Sequence, residues 1–563
     1  MARNVAIGIQ DFETVITKDC FYVDKTHFIW EWWESGDSVT LITRPRRFGK
    51  TLTMSMLECF FSVRYAGRGD LFEKLSIWKE QNYRGLQGTY PVISLTFANV
   101  KEKSYEQTKR KLNDILVELY EKNAFLKESG LLGAKELQYY DSVCADMDEV
   151  TASLALHHMS DYLSRYYGKK AIILLDEYDT PMQEAYVNGY WDELASFTRS
   201  MFNAAFKTNP YLERGIMTGI TRVSKESIFS DLNNLKVVTT TSNEYADAFG
   251  FTEAEVFAAL DEQGYADKDE VKRWYDGFTF GHTKDIYNPW SILNFMDTGK
   301  IAPYWANTSS NSLVSKLVQE GEPELKQRFE SLLKGECVSV ELEEQIVYNR
   351  LDEDEAAIWG LLLAGGYLKA VSVDDVPMRR GMGELRYELA LTNLEVQFMF
   401  ASMIRGWFKG RSRSDYNGFV RALLGGDKKL MNIYMNKVVL ATISYFDSGS
   451  HPSRQEPERF YHGLVLGLLV ELYGRYVVTS NRESGYGRYD VMLEPQESGD
   501  DAIILEFKVH DPGEERSLED TAAAALGQIE KKRYAQALID RGIAAERIRA
   551  YGFAFEGKRV LIQ

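Results

Sequence analysis

Four short, uninterrupted apolar runs punctuate the first half of the chain: Ser38–Thr43 (SVTLIT), Tyr90–Phe97 (YPVISLTF), Lys170–Asp176 (KAIILLD) and Arg214–Thr221 (RGIMTGIT). A strand with one wet face alternates polar and apolar residues, so a continuous run marks a strand covered on both faces. The stretches between the runs are amphipathic and long enough to cross over and return, which predicts an α/β core on a parallel sheet. The charged segment KEKSYEQTKRKLNDILVELYEK, between the second and third runs, reads as a solvated helical crossover.

At 563 residues the chain is too long for one ordinary core, and two to four domains are expected. Its 45% apolar and 26% charged residues are those of a globular protein. A net charge of −17 excludes a protein that coats nucleic acid by bulk electrostatics, so any such contact must be focal. Cys20, Cys59, Cys144 and Cys337 are scattered, with no Cys-x-x-Cys pair; this suits reduced thiols and gives no support to zinc. The N-terminus lacks the apolar core of a signal peptide and no run suits a bilayer, so the expected location is cytoplasmic, with no membrane partner.

The pattern divides the chain into residues 1–300, 301–450 and 451–563. After the fourth run, Thr252 and Glu255 have capping-box spacing, flanked by Phe251 and Val256 as a hydrophobic staple. This and the Asn288-Pro289 turn suggest a small helical lid closing the first part. Trp274, Tyr275 and Trp290 there read either as a partner surface or, more simply, as core. In the middle part, AAIWGLLLAGGYLKAVSV and MGELRYELALTN read as a helix and a hairpin before another helix, a helical and winged-helix-like module without a base-reading arginine cluster. Helices fill 414–450, and SGSHPSRQEPERF is the candidate boundary before a last α/β part.

The first apolar run feeds RPRRFGKT, Arg44–Thr51, and then a helix-capable stretch. A phosphate loop works by converging backbone N–H groups on a phosphate, with a lysine for charge and a hydroxyl for Mg²⁺. Gly49, Lys50 and Thr51 meet that requirement, but Arg44 stands where the usual pattern has its first glycine, and a positive φ there would be costly. The third run ends in Asp176 and Glu177, one carboxylate for the Mg²⁺ shell and one for the attacking water. The alternative for the acidic pair is to cap the next helix.

YVDKT, LITRPRRFGKT, LLDEYDTP, SIFSDLNNL, WYDGF and YNPWSI occur in this order, and together they resemble the AAA-ATPase-like family of bacterial proteins over about Ile7–Asn311. The resemblance implies a P-loop NTPase core whose loop has arginines in place of the leading glycine. It also implies that Lys50 holds the β- and γ-phosphates, Thr51 the Mg²⁺, Asp176 its outer shell and Glu177 the water. Arg46, Arg47, Phe48 and Gly49 complete the nucleotide-binding loop, the two arginines reading equally as structural ion-pair residues. Arg222 stands where related ATPases place a sensor, or is an ordinary surface ion-pair residue.

Near the C-terminus, GYGRYDVMLEPQESGDDAIILEFKVH contains Asp490, Glu506 and Lys508. Residues two apart on a strand share a face, so Glu506 and Lys508 point together, and Asp490 at the start of a neighbouring strand can oppose Glu506. Two carboxylates can bind Mg²⁺ or Mn²⁺ while a lysine positions water for attack on a phosphodiester. With ERFYHGLVLGLL, NRESGYGRYDVML, IILEFK and ALGQIEKKRYAQAL, about Glu456–Gln563 resembles the PD-(D/E)xK nuclease superfamily, although Tyr489 replaces the proline of its name. The resemblance implies Asp490 and Glu506 as metal ligands, Lys508 as the water-positioning base, Gln528 as a helper and Glu458 as a further acidic ligand.

Together these readings predict an ATP- and Mg²⁺-using enzyme that cuts nucleic acid, DNA ahead of RNA, with a homo-oligomer compatible with its ATPase part. The alternative is a nucleotide-dependent switch or scaffold that binds nucleic acid or a partner without cleavage.

Overall fold

Each of the four apolar runs forms a strand: β1 (Val39–Thr43), β2 (Val92–Thr96), β3 (Ala171–Asp176) and β4 (Leu212–Gly219). A computed structural model describes residues 3–223, 228–229, 232–306, 308, 314, 317–318, 323–333, 335–343, 355–376, 384–407, 413–446, 465, 469, 472, 475–480, 483–484, 487–488, 490–497, 499–510, 515–556 and 559–563. The candidate boundary stretch and Glu458 lie outside the described residues. The chain splits into two compact units, Met1–Gly321 with Ser331–Phe398, and Glu322–Glu330 with Met399–Gln563.

In the first unit the strands pair in parallel in the order β2-β3-β4-β1-β5, and β1 and β3 are buried along their whole length. The added strand β5 (Leu235–Val238) pairs with β1 at the sheet edge. Only Val238 of its four residues is fully buried, so it carries no continuous apolar run for the sequence to reveal. Helices α1 (Lys50–Phe61), α2 (Tyr105–Lys122) and α3 (Glu149–Tyr167) connect the strands. Helix α2 buries Leu112, Leu116, Leu119 and Tyr120 and turns its charges outward, as its 3.6-residue pattern requires. Phe60, Phe61 and Trp32 pack with Ile42, Ile172 and Ile216 to cover one face of the sheet.

Beyond the sheet come β6 (Phe251–Thr252), α4 (Glu253–Gln263), α5 (Lys268–Tyr275), β7 (Phe278–Phe280), β8 (Thr283–Tyr287) and α6 (Pro289–Thr298). The capping box forms: Thr252 N–H donates to Glu255 Oε2 at 2.7 Å, and Glu255 N–H to Thr252 Oγ1 at 3.4 Å. Phe251 and Val256 share one core cluster. The lid is not purely helical, because β6, β8 and β7 make an antiparallel sheet whose strands, two to five residues long, are too short to show a period. Tyr275 is fully buried, which settles it as core, while Trp274 and Trp290 are half-buried.

The expected helix, hairpin and helix follow as α7 (Glu355–Ala364), β10 (Leu368–Val376), β11 (Glu384–Leu391) and α8 (Leu394–Trp407), joined by an earlier strand, β9 (Val338–Val340), in the order β10-β11-β9. The Gly365-Gly366 break has a steric reason. Gly366 lies at φ +82°, and a Cβ there would stand 2.8 Å from the Pro45 ring in the loop after β1.

In the second unit, β12 (Tyr476–Ser480), β15 (Val491–Pro495), β16 (Ala502–Val509), β17 (Ile548–Glu556) and β18 (Arg559–Ile562) form one sheet in that order, beside a small pair, β13 (Glu483–Ser484) and β14 (Gly487–Arg488). Only β16 and β17 run parallel, with the intervening helix α11 (Leu518–Lys532) as their crossover. Gly552 of β17 lets α11 approach closely, since a Cβ there would stand 2.4 Å from the Ala522 carbonyl oxygen. Helices α9 (Arg413–Gly425) and α10 (Lys428–Phe446), which the sequence assigns to the middle part, bury Phe419, Leu423, Met431 and Met435 in the core of this C-terminal sheet. Helix α10 also covers the edge strand: the side-chain amides of Asn432 and Asn436, one turn apart, exchange pairs of hydrogen bonds with the backbones of Ile562 and Val560 at 2.7–3.0 Å.

Candidate active sites

The loops after β1, β3 and β4 all leave the same edge of the parallel sheet, the carboxyl end where α/β proteins assemble ligand sites. Lys50, almost fully buried at the start of α1, donates from Nζ to the carbonyls of Arg44 at 3.0 Å and Pro45 at 2.9 Å. Burial pushes its ammonium below the ordinary lysine value, opposed first by Glu177 and then by Asp176 and Asp179. Thr51 Oγ1 donates to Asp176 Oδ2 at 2.6 Å, and Thr218 of β4 donates to the other carboxylate oxygen. Burial raises Asp176, against the two hydroxyl bonds and Lys50. Lys50, Thr51 and Asp176 thus come together as their spacing suggested.

Glu177 follows at φ +52°, and its Oε2 accepts from Thr180 Oγ1 at 3.1 Å. The turn at the end of β4 is held by two residues that the sequence reading passed over. Asp179, buried, accepts from the backbone N–H of Ile220 and Thr221 and from Thr221 Oγ1 through a single oxygen at 2.8–3.0 Å. Tyr178 donates to the Thr221 carbonyl at 2.7 Å and accepts from Val223 N–H at 3.0 Å. Arg222 is therefore fixed, half-exposed, in a clamped turn. The signal available in the sequence was the last acid of DEYD, Asp179, directly after the acidic pair.

Arg44 corrects the expectation of strain. Its φ is not positive; Arg47 at +65° and Gly49 at +82° make the left-handed turns instead. The Arg44 side chain is fully buried and donates to four carbonyls, those of Thr43, Thr239, Glu244 and Tyr245, at 2.7–3.3 Å. It also lies over the Phe280 ring, 4.5 Å from the centroid. A glycine would leave these carbonyls and this volume unfilled. Phe48 is likewise buried, between Phe278 and Phe280, so only its backbone is left to face a ligand. Arg47 is exposed and stacks on Trp290 at 4.5 Å, and Arg46 reaches Gln183 at 3.4 Å. Neither arginine makes an ion pair among the described residues.

Below the lid, Glu395 is buried and accepts from Ser291 Oγ at 2.8 Å and from the backbone N–H of Trp305 at 2.6 Å and Ala306 at 3.4 Å. Burial outweighs these bonds and pushes its carboxyl up to about 7. A carboxyl raised in the fold stabilises it in the protonated form, so this contribution is lost as pH rises from the unfolded value near 4.5 to about 7. Glu395→Gln cannot ionise. Its stability relative to the parent should therefore improve by roughly 3 kcal/mol between pH 4.5 and pH 8, read by urea unfolding at both pH values; a pH-independent difference would refute this account.

In the second unit, β15 and β16 pair with Val491 opposite Leu505, a register whose next step sets Asp490 against Glu506. Asp490 Oδ2 accepts from Phe507 N–H at 2.7 Å, and Asp490 N–H reaches Glu506 Oε2 at 3.4 Å. Gln528, on α11, donates to Glu506 Oε1 and lies 3.4 Å from the Tyr534 hydroxyl, a buried phenol the sequence reading passed over. Desolvation raises Tyr534 above the ordinary phenol value. Glu506 is buried and Lys508, two residues along the same strand, is half-exposed. Asp490, Glu506 and Gln528 thus form one bonded group beside Lys508. The adjacent carboxylates fit a hard divalent cation, which prefers oxygen donors.

Residues 6–229 match the AAA-ATPase-like family, described as predicted AAA-ATPase, and residues 456–563 match the PD-(D/E)XK nuclease superfamily. The chain is also 24% identical over 398 residues, 70% of its own length and 68% of the relative's, to an uncharacterized protein in the vnfD 5′ region of Azotobacter chroococcum mcd 1. Among the described residues no helix is long and apolar enough to cross a membrane.

Proposed function

From a chain that carries an AAA-ATPase-like domain and a C-terminal domain of the PD-(D/E)XK nuclease superfamily, we propose an ATP-dependent, Mg²⁺-using nuclease. The observation that carries the nuclease half is the bonded group of Asp490, Glu506 and Gln528 with Lys508 on the same strand. Asp490 and Glu506 would hold Mg²⁺ or Mn²⁺, which when bound supplies Lewis-acid charge stabilisation at the phosphodiester. Lys508 orients water, and Gln528 fixes the Glu506 carboxylate.

The nucleotide half rests on Thr51 and Asp176 meeting beside Lys50. Lys50 neutralises phosphate charge, Thr51 and Asp176 serve Mg²⁺, Glu177 orients the water and Arg222 senses the γ-phosphate. Arg46, Arg47, Phe48 and Gly49 present the loop to the nucleotide. The helix–hairpin–helix module is of winged-helix type in this reading, and ATP gates nuclease access. DNA is the favoured substrate, and a homo-oligomer would complete the ATPase site.

One observation favours the second reading, a nucleotide-dependent switch or scaffold without cleavage. Glu177 Oε2 already accepts from the Thr180 hydroxyl in its own turn, a bond that competes with holding a water. Cleavage of single- and double-stranded DNA and RNA with Mg²⁺ or Mn²⁺, with and without ATP, separates the two. The nuclease reading expects cutting that is lost in Lys508→Ala, and gating expects loss in Lys50→Ala as well. Equal cutting with and without ATP would remove the gating, and ATP binding without any cutting would leave the switch.

A further inference from the structure

The phosphate loop lacks its leading glycine, yet it still makes a left-handed turn at a residue with a side chain, Arg47 at φ +65°. Such a turn costs on the order of 1 kcal/mol or more and persists only where its surroundings over-determine it. Those surroundings centre on one atom, the Arg46 carbonyl oxygen, which belongs to the Arg46–Arg47 peptide and so sets the plane from which Arg47 turns. It accepts from Asn288 Nδ2 at 3.2 Å and from the Trp305 indole Nε1 at 3.0 Å.

Both donors are themselves held. Asn288 is buried, and its Oδ1 caps α6 by accepting from Trp290 N–H at 2.9 Å and Ser291 N–H at 3.3 Å, which leaves its amide nitrogen pointed at the loop. Trp305 is buried against Phe278 and Tyr367, and its backbone N–H is bound by Glu395. From the other side the loop meets Gly366 at Pro45. Residues more than two hundred positions downstream thus converge on the loop from the start of α6, from Trp305 beyond it and from the turn between α7 and β10, all within one compact unit.

We propose that Asn288 and Trp305 are positioning residues of the phosphate loop, holding the Arg46–Arg47 peptide so that the loop N–H groups and Lys50 are arranged for a nucleotide phosphate before it arrives. The role replaces, with two side-chain donors, the backbone freedom a leading glycine would supply. It also gives the YNPW string a function beyond marking a turn, and makes Glu395 the support of one donor. The inference rests on the nucleotide-site reading for its consequence, but its structural half stands without it.

Two variants isolate the bonds. Trp305→Phe keeps the aromatic packing and removes the indole N–H, and Asn288→Ser keeps a helix-capping oxygen but is too short to reach the loop. In the full chain without nucleotide, hydrogen exchange at the amides of residues 46–50 should become about tenfold faster or more in each variant, with β3 exchange and thermal midpoint unchanged. Affinity for ATP with Mg²⁺ should fall about tenfold in step, at unchanged midpoint, a loss that general destabilisation would not give. Unchanged loop exchange in both variants overturns the proposal, whatever happens to nucleotide binding. Faster loop exchange in the variants, with a parent that itself binds no ATP, upholds the positioning role and refutes the nucleotide reading instead. Faster exchange with ATP affinity unaltered overturns the claim that the clamp serves the nucleotide.

Discussion

Glu506→Gln is expected to lower phosphodiester cleavage about a thousandfold or more while leaving the C-terminal unit folded. Glu506 is buried, and its two carboxylate oxygens meet the Gln528 amide and the Asp490 N–H. Glutamine has the same shape and retains an oxygen for one of these donors, so packing is preserved. What it removes is a negative charge from the proposed two-carboxylate cation site. In that proposed site, loss of one charged ligand at a buried position would weaken both cation binding and transition-state stabilisation, and about 4 kcal/mol corresponds to a thousandfold in rate. Single-turnover cutting of a labelled DNA with Mg²⁺, alongside thermal unfolding, reads both halves. Cutting at the parent rate by folded Glu506→Gln protein would move the active site elsewhere, and Lys508 with it.

Arg44→Gly, which restores the first glycine of the usual phosphate loop, should destabilise the N-terminal unit by about 4 kcal/mol rather than improve its site. The guanidinium supplies charge-assisted bonds to four carbonyls at the end of β1 and in the 239–245 turn, and removing it strands those acceptors without water. It also empties the volume against Phe280 and Phe249. Burial holds the arginine below its ordinary value, against which the nearby Glu244 charge acts. The glycine variant is spared that desolvation cost, which offsets part of the loss, but the four unpaired carbonyls and the emptied volume outweigh it. Arg44→Lys should rescue little, because an ammonium cannot present the planar fork that reaches carbonyls on separate segments. Urea unfolding gives the magnitude. A glycine variant as stable as the parent, with equal ATP binding, would show that neither the four bonds nor the filled volume of Arg44 contributes to stability.

Local order made several features legible. Strands β1 and β3 are continuous apolar runs because both faces of the sheet are covered there, whereas edge strand β2, expected to be covered on both faces, buries alternate residues and leaves Ser94 and Thr96 exposed; the Thr252–Glu255 box follows from helix geometry alone. Glu506 and Lys508 share a face because a strand has a two-residue period, and the Asp490 pairing needed only the next strand in sequence. Lys50 and Thr51, in the loop and helix start after β1, and Asp176 and Glu177, at the end of β3, were readable because each follows a fully buried apolar run. The weaker signals were short edge elements, such as β5 and the lid sheet, whose few residues are half-buried or lack a full period.

The sequence by itself thus determined the strand layers, the two acidic constellations and which residues could carry chemistry. Tertiary structure alone decided what Arg44 does, how Asp179 and Tyr178 hold the turn bearing Arg222, and how Asn288 and Trp305 reach the phosphate loop. It alone decided that Asn432 and Asn436 would close the edge of β18. The physical reason is common to these cases. Each is a polar side chain bonding a backbone group 40 to 260 residues away. Every residue type offers the same backbone carbonyl and every one but proline the same N–H, so the partner leaves no chemical mark in the sequence, and only the folded path of the chain brings it within 3 Å or so.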